Sequence, residues 1–209
     1  MVRLPEGVVH NEEQERGARL ALKAFDDSSR NGFLLADQMG SGKTIQALMF
    51  LTLLYERGFS DRVVIVATAS LIHMWAGEFA KWFPNKKCVL WDGSSQAKEG
   101  IEEASVLIVA YSMCWRKSCV KYVGPWLKGH KRVLIFDECQ KAAGRPPNKS
   151  NVSRALWERG GYAWPTNTEM GFVLALSGTP MPNGRHGEMW RFLRHALQDS
   201  MSWSPAWGN

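Results

Sequence analysis

Gly32-Phe33-Leu34-Leu35-Ala36-Asp37-Gln38-Met39-Gly40-Ser41-Gly42-Lys43-Thr44 decides the fold class. Its first five residues form a short run without polar alternation, which reads as a strand buried on both faces. From Thr44 to Arg57, Ile45, Leu48, Met49 and Leu53 fall on one helical stripe, and Gly58 is placed to cap the end. A glycine-rich turn therefore leads from a strand into a helix, where a phosphate-binding loop belongs. Glycines let successive backbone N–H groups point inward at a polyphosphate beside the positive end of the helix. Met39, Gly40, Ser41 and Gly42 would wrap the phosphates, Lys43 would reach the β- and γ-phosphates, and the Thr44 hydroxyl would ligate Mg²⁺. A plain turn before a helix accounts for Gly40 and Gly42 but not for the Lys-Thr pair. Asp37 stands where the simplest form of this motif has its first glycine.

Similar unalternating runs recur at Val63–Val66, Val106–Val109, Val133–Phe136 and Phe172–Leu176, with helix-like or loop segments between them. Strand, helix and strand repeated in this way predict an α/β fold with a parallel sheet and right-handed crossovers. Cys88–Trp91 can add a further strand. The run Leu134-Ile135-Phe136 ends in Asp137-Glu138. Adjacent acids can simply terminate a strand, but beside a phosphate loop they have chemistry to do. Asp137 would hold Mg²⁺, and Glu138 would orient and deprotonate an attacking water. Loop and acid pair together predict nucleoside triphosphate hydrolysis.

The 209 residues, 45% hydrophobic and 22% charged, suit one folded domain, and no apolar run approaches the roughly 18 residues that span a bilayer. No basic-then-apolar leader opens the chain. The four cysteines form no Cys-x-x-Cys pair, so they read as reduced thiols, with Cys139 a packing residue. The formal net charge is +6. No acid lies between Glu103 and Asp137, whereas Arg116, Lys117, Lys121, Lys128, Lys131 and Arg132 all do. That stretch reads either as a solvated basic face or as a surface for a phosphate backbone. Trp75 and Trp82 share a helix with Phe79 and are expected in the core, as are Trp115 and Trp126. Residues 143–152 read as a loop.

The ordered motifs resemble the Swi/Snf-type ATPases of the helicase superfamily that includes the DEAD and DEAH proteins. Ala36–Thr44 looks like the family's first motif (Walker A), in which Asp is usual where other families have glycine. Ser70-Leu71-x-x-x-Trp75-x-x-Glu78-Phe79-x-Lys81-Trp82-Phe83-Pro84 is similar to the next, with Thr68 where proline is usual. Asp137-Glu138-Cys139-Gln140-Lys141 resembles the DEAH-like box with Gln140 replacing histidine. Leu176-Ser177-Gly178-Thr179-Pro180-x-x-Asn183 looks like the third motif, and Glu188-Met189-Trp190-x-x-Leu193 resembles the helix after it. Gln14 is similar to the upstream adenine-reading glutamine, with Glu13 in place of its aromatic neighbour.

The resemblance implies a RecA-like parallel sheet with helices on both faces, which binds ATP and Mg²⁺ and tracks along double-stranded DNA. It implies coupling roles for Gln140, Ser177 and Thr179, and DNA contacts near Ser70, with Arg116, Lys117 and Lys121 as further candidates. Such motors close their ATP site with a second RecA-like lobe that supplies an arginine finger. Residues 1–199 are accordingly read as the first lobe and 200–209 as the start of a connection to the second. An RNA-directed or strand-separating helicase lobe and a non-motor nucleotide- or DNA-binding module are the rival readings. The compact motif spacing points to the cytoplasm of a bacterial or phage-infected cell, with no membrane partner.

Overall fold

A computed structural model of the chain describes residues 4–59, 62–128, 130, 132–143 and 171–182. Lys131, the loop read at 144–152, Asn183, the segment from Glu188 to Leu193 and the expected connection at 200–209 lie outside them. Six strands form one sheet: β1 (Gly32–Leu35), β2 (Arg62–Ala67), β3 (Cys88–Trp91), β4 (Val106–Ala110), β5 (Arg132–Asp137) and β6 (Phe172–Leu176). Their order across the sheet is β1-β6-β5-β2-β4-β3, and every pairing is parallel. A parallel pair needs a crossover. The helices α2 (Lys43–Glu56), α3 (Ile72–Trp82), α4 (Ser95–Gly100) and α5 (Lys117–Leu127) supply one after each of the first four strands. Helix α1 (Glu12–Asp26) precedes the sheet, and the short α6 (Gln140–Ala143) follows β5.

The strands read as continuous apolar runs because both faces are covered. Val63, Ile65, Ala67, Val106, Ile108, Val133 and Ile135 pack into a core with α1, α2 and α3. Their alternates Val64, Val66, Leu107, Val109, Leu134 and Phe136 pack into a second core with α4 and α5. One expectation changes here. Helix α2 buries Gln46 through Leu51, Leu53 and Leu54, not a single stripe, because α1 packs against it as well. Phe25 of α1 meets Phe50 of α2 edge-on, with ring centroids 6.2 Å apart. At the helix end, Gly58 adopts φ +81°, and the N–H groups of Gly58 and Phe59 donate to the carbonyls of Tyr55 and Leu54. That closure needs a left-handed residue, and glycine adopts it freely.

The aromatic expectations divide. Trp75, Phe79, Trp82 and Trp126 are buried, whereas Trp115 is 42% exposed. It stands in the turn after β4, past the last strand residue that a helix can cover. Arg132, counted in the basic stretch, is instead buried at the start of β5.

Close strand approach yields a test. A Cβ on Gly171, just before β6, would stand 1.7 Å from the Arg132 backbone carbonyl oxygen. Backbone cannot swing aside as a side chain can, so Gly171→Ala should lose about 1–3 kcal/mol of stability, the usual cost of overpacking. Urea unfolding of the two proteins measures it, and equal midpoints would refute it.

Candidate nucleotide site and nucleic-acid edge

A parallel sheet places all its strand carboxyl ends along one edge, where ligands of open α/β sheets bind. The adjacent strands β1, β6 and β5 bring the phosphate loop, the third motif and the acid pair together there. Gly40 and Gly42 adopt φ of +81° and +80°, which turns the loop into α2. Gly42 caps that helix without a side-chain acceptor, and the first turn carries no acid, so neither competes for the helix's leading N–H groups. The Lys43 ammonium donates to the carbonyls of Asp37 (2.8 Å) and Gln38 (2.9 Å). The Ser41 hydroxyl oxygen is buried with no hydrogen-bond partner among the described residues.

Gln14 lies against this loop. Its amide nitrogen donates to the Ser41 carbonyl at 3.0 Å, and its amide oxygen accepts from the Asn11 N–H at 3.1 Å. Asn11 reciprocates as the N-cap of α1, which fixes where the glutamine starts. A Cβ on Gly42 would stand 2.2 Å from the Gln14 amide nitrogen, so the loop glycine also makes room for this contact.

Asp137 ends β5. Alternation along that strand puts its carboxylate on the α1–α3 side, where the Trp75 indole N–H donates to it at 2.9 Å. The Tyr111 hydroxyl donates to its backbone carbonyl at 2.8 Å. Burial raises the carboxyl above its ordinary value. The Trp75 bond and the nearby Lys43 charge pull it back down, while neighbouring Glu138 adds to the rise. Burial also pushes the Cys139 thiol up to about 12, so it stays protonated and packs, unsuited to nucleophilic attack.

Glu138 is the one non-glycine among the described residues with positive φ, at 52°. The next N–H, of Cys139, bonds the Leu176 carbonyl at 3.0 Å and holds the turn. From Glu138 a chain of side chains runs along the edge. The Gln140 amide nitrogen donates to the Glu138 carboxylate at 2.5 Å, the Ser177 hydroxyl donates to the Gln140 amide oxygen at 2.7 Å, and the Thr179 N–H donates to the Ser177 hydroxyl oxygen at 3.0 Å. Beside it, Gly178 touches the phosphate loop so closely that a Cβ would fall 2.7 Å from Met39 Cγ. Met39 itself is exposed.

The donor set fits Mg-ATP. Mg²⁺ takes one or two protein oxygens plus phosphate and water, not a protein cage. Among the described residues no group of three or more His, Cys, Asp or Glu could hold a metal by itself. Thr44, in the first turn of α2, and the Asp137 oxygen not bonded to Trp75 could serve as such oxygens.

The nucleic-acid candidates share this edge but not this corner. Ser70 is exposed after β2, its hydroxyl 3.0 Å from that of Thr68. Arg116, Lys117 and Lys121 are exposed around the start of α5, after β4. Since β2 and β4 pair, the two groups sit on neighbouring loops. Two side chains to which the sequence reading gave no role at the site also reach it: Trp75, quoted in the second motif and expected only to pack in the core, and Gln46, whose amide nitrogen donates to the Asp37 carboxylate at 2.7 Å. A polar amide directly before the apolar run from Ala47 to Leu51 was the signal available for the second.

Comparison with known proteins agrees with this geometry. The DNA excision repair protein ERCC-6-like of Danio rerio is 30% identical over 198 residues, which cover 90% of this chain and 12% of that protein. The human SWI/SNF-related matrix-associated actin-dependent regulator of chromatin subfamily A member 1 is 27% identical over 194 residues, covering 89% and 17%. The chain thus spans less than a fifth of either relative. The solved Sulfolobus solfataricus SWI2/SNF2 ATPase core in complex with dsDNA shares the fold, with a TM-score of 0.67 at 20% identity over 94% of this chain and 38% of that one. Eukaryotic relatives and an archaeal structure give no support to the bacterial or phage source expected from motif spacing. No helix among the described residues is long and apolar enough to cross a membrane. The profile of the SNF2-related domain matches residues 13–209, from within α1 to the last residue, and the chain belongs to that Swi/Snf-type family of helicase-superfamily ATPases.

Proposed function

We propose that this chain is the ATP-binding lobe of a double-stranded DNA translocase, hydrolysing ATP once paired with a second RecA-like lobe. The observation that carries the reading is the continuous link at one sheet edge from the Glu138 carboxylate through Gln140 to Ser177 and Thr179. A residue that takes a proton from water is thereby tied to a loop that faces outward. In this reading the phosphate loop and Lys43 hold the β- and γ-phosphates, Thr44 and Asp137 present oxygens to Mg²⁺, and Glu138 accepts the proton of the attacking water. Magnesium, when bound, supplies charge neutralisation between the phosphates. Gln14 keeps its second amide N–H and the second lone pair of its oxygen for an adenine while making both present bonds. The solved archaeal core, bound to dsDNA and more than twice this chain's length, supports both the duplex partner and the second lobe. ATP turnover by the two-lobed protein separates this reading from the RNA-directed and strand-separating ones: it should rise with duplex DNA, not with RNA or single strands.

Lys43→Ala should cost about 1.5–3 kcal/mol of ATP affinity by calorimetry, since it removes a charge-assisted contact. Glu138→Gln should keep Mg-ATP affinity while turnover falls about 10²–10⁴-fold, because an amide cannot take the proton. Equal loss of binding in both variants would undo this division of roles.

Trp75→Phe keeps the ring in the core and deletes the N–H to Asp137. Titration of ATP binding against Mg²⁺ should then need several-fold more metal, with metal-free ATP binding unchanged. An unaltered Mg²⁺ dependence would reduce Trp75 to packing.

Duplex binding by residues 1–209 should be weak, indifferent to sequence and steeply salt-dependent, since the expected contacts are to phosphates. Replacing Arg116, Lys117 and Lys121 together by Ala should flatten the slope of log affinity against log salt by about two to three. A slope as steep as before would move the contact surface elsewhere.

A further inference from the structure

We propose that Gln46 is a positioning residue for the phosphate-binding loop, acting by a tether from its buried side chain to Asp37. This rests on the reading that the loop binds nucleotide. Gln46 is the fourth residue of α2 and only 1% exposed, followed in sequence by buried Ala47, Leu48, Met49, Phe50 and Leu51. An amide in such surroundings is unfavourable unless bonded, and an apolar side chain would pack there at lower cost. Its nitrogen donates to the Asp37 carboxylate at 2.7 Å, while its oxygen is buried without a hydrogen-bond partner among the described residues. Helix α1 is shaped to admit it: a Cβ on Gly17 would stand 1.9 Å from the Gln46 amide oxygen.

Asp37 opens the loop, and Gln46 lies in the helix that the loop enters, so one bond fastens entry to exit across nine positions. The loop's other long-range internal fastening is Lys43, bonded to the Asp37 and Gln38 carbonyls. Phosphate oxygens compete with those carbonyls for the ammonium. They do not compete for Gln46, whose donor lies beneath the loop. The tether therefore keeps the loop's span when Lys43 turns to the ligand. It also gives a reason for an acid at Asp37, whose charge by itself repels a polyphosphate.

The test is a double-mutant cycle on Mg-ADP affinity by calorimetry, with amide hydrogen exchange of residues 38–42 measured without nucleotide. Asp37→Ala and Gln46→Leu should each weaken Mg-ADP about three- to tenfold. Their combination should be no weaker than either alone, and Asp37→Asn, which keeps an acceptor, should stay near wild type. Loop amides should exchange faster in both single variants, while amides at the centre of α2 keep wild-type protection. Tighter binding by Asp37→Ala would show that only charge matters at this position, and additive losses would show that the pair does not act as a unit. Either overturns the tether, as does unchanged loop exchange. Wild-type protein that binds no nucleotide would overturn the functional reading instead, and the exchange measurement would still decide the tether.

Discussion

Three strands ending in register carry the rest of this site. Leu35 of β1 and Asp137 of β5 both pair with Leu176 of β6, so one row of backbone crosses the sheet beneath the loops. The row continues past the strands, with the Ser177 N–H on the Leu35 carbonyl and the Cys139 N–H on the Leu176 carbonyl. Phosphate loop, third motif and acid pair all start from that row. Strand parity then selects the chemistry. Val133 and Ile135 face the layer that holds α2 and α3, so Asp137 faces it too, toward the phosphate-loop helix and Trp75. A slip of one residue would turn Phe136 toward that helix and the carboxylate toward α5. Two apolar faces, each with its own packed cluster, are what forbid the slip.

The next residue breaks the strand's parity. At φ 52° Glu138 sits where a side chain costs about 1–3 kcal/mol. Such a conformation persists only where neighbouring contacts over-determine it. Here the Cys139 N–H on the Leu176 carbonyl and the Gln140 amide on the Glu138 carboxylate do so from both sides. The turn lets two consecutive acids serve different ends: Asp137 stays against the indole, and Glu138 swings into the chain of hydrogen bonds that leads to Ser177.

The sheet and the phosphate loop were legible in the sequence because both are local. A run such as Val63–Val66 needs only its own composition to read as a doubly buried strand, and Gly40, Gly42, Lys43 and Thr44 lie within five positions. What escaped depends on partners far along the chain. Nothing beside Trp75 announces that its N–H finds Asp137, 62 residues away. Trp115 and Arg132 went astray for a related reason, since composition averages over a stretch while exposure is set residue by residue by what lies above. Arg132 lies within a central strand and is buried, whereas Trp115 follows the end of β4 and is uncovered. Helix α2 looked striped because a sequence shows the helix's own periodicity but not that α1 also packs against it.

The two fastenings of the phosphate loop differ in kind, and that difference bears on affinity. Lys43 bonds carbonyls at 2.8 and 2.9 Å, which occupy two of the ammonium's three N–H donors and leave one for a phosphate before either bond is exchanged. For any further phosphate contact the net gain is smaller than a free ammonium would give, because exchange of one charge-assisted acceptor for another returns only their difference. Selectivity for a highly charged ligand follows from the same exchange. A neutral carbonyl ligand offers the ammonium no more than Asp37 and Gln38 do, whereas a polyphosphate carries several negative charges. Gln14 sits at the other side of the loop, where one N–H of its amide is held by the neutral Ser41 carbonyl and the other is left for a base. A base that offers a neutral acceptor gains an ordinary hydrogen bond there, not a charge-assisted one. The discrimination built into this edge therefore favours phosphate charge over base identity.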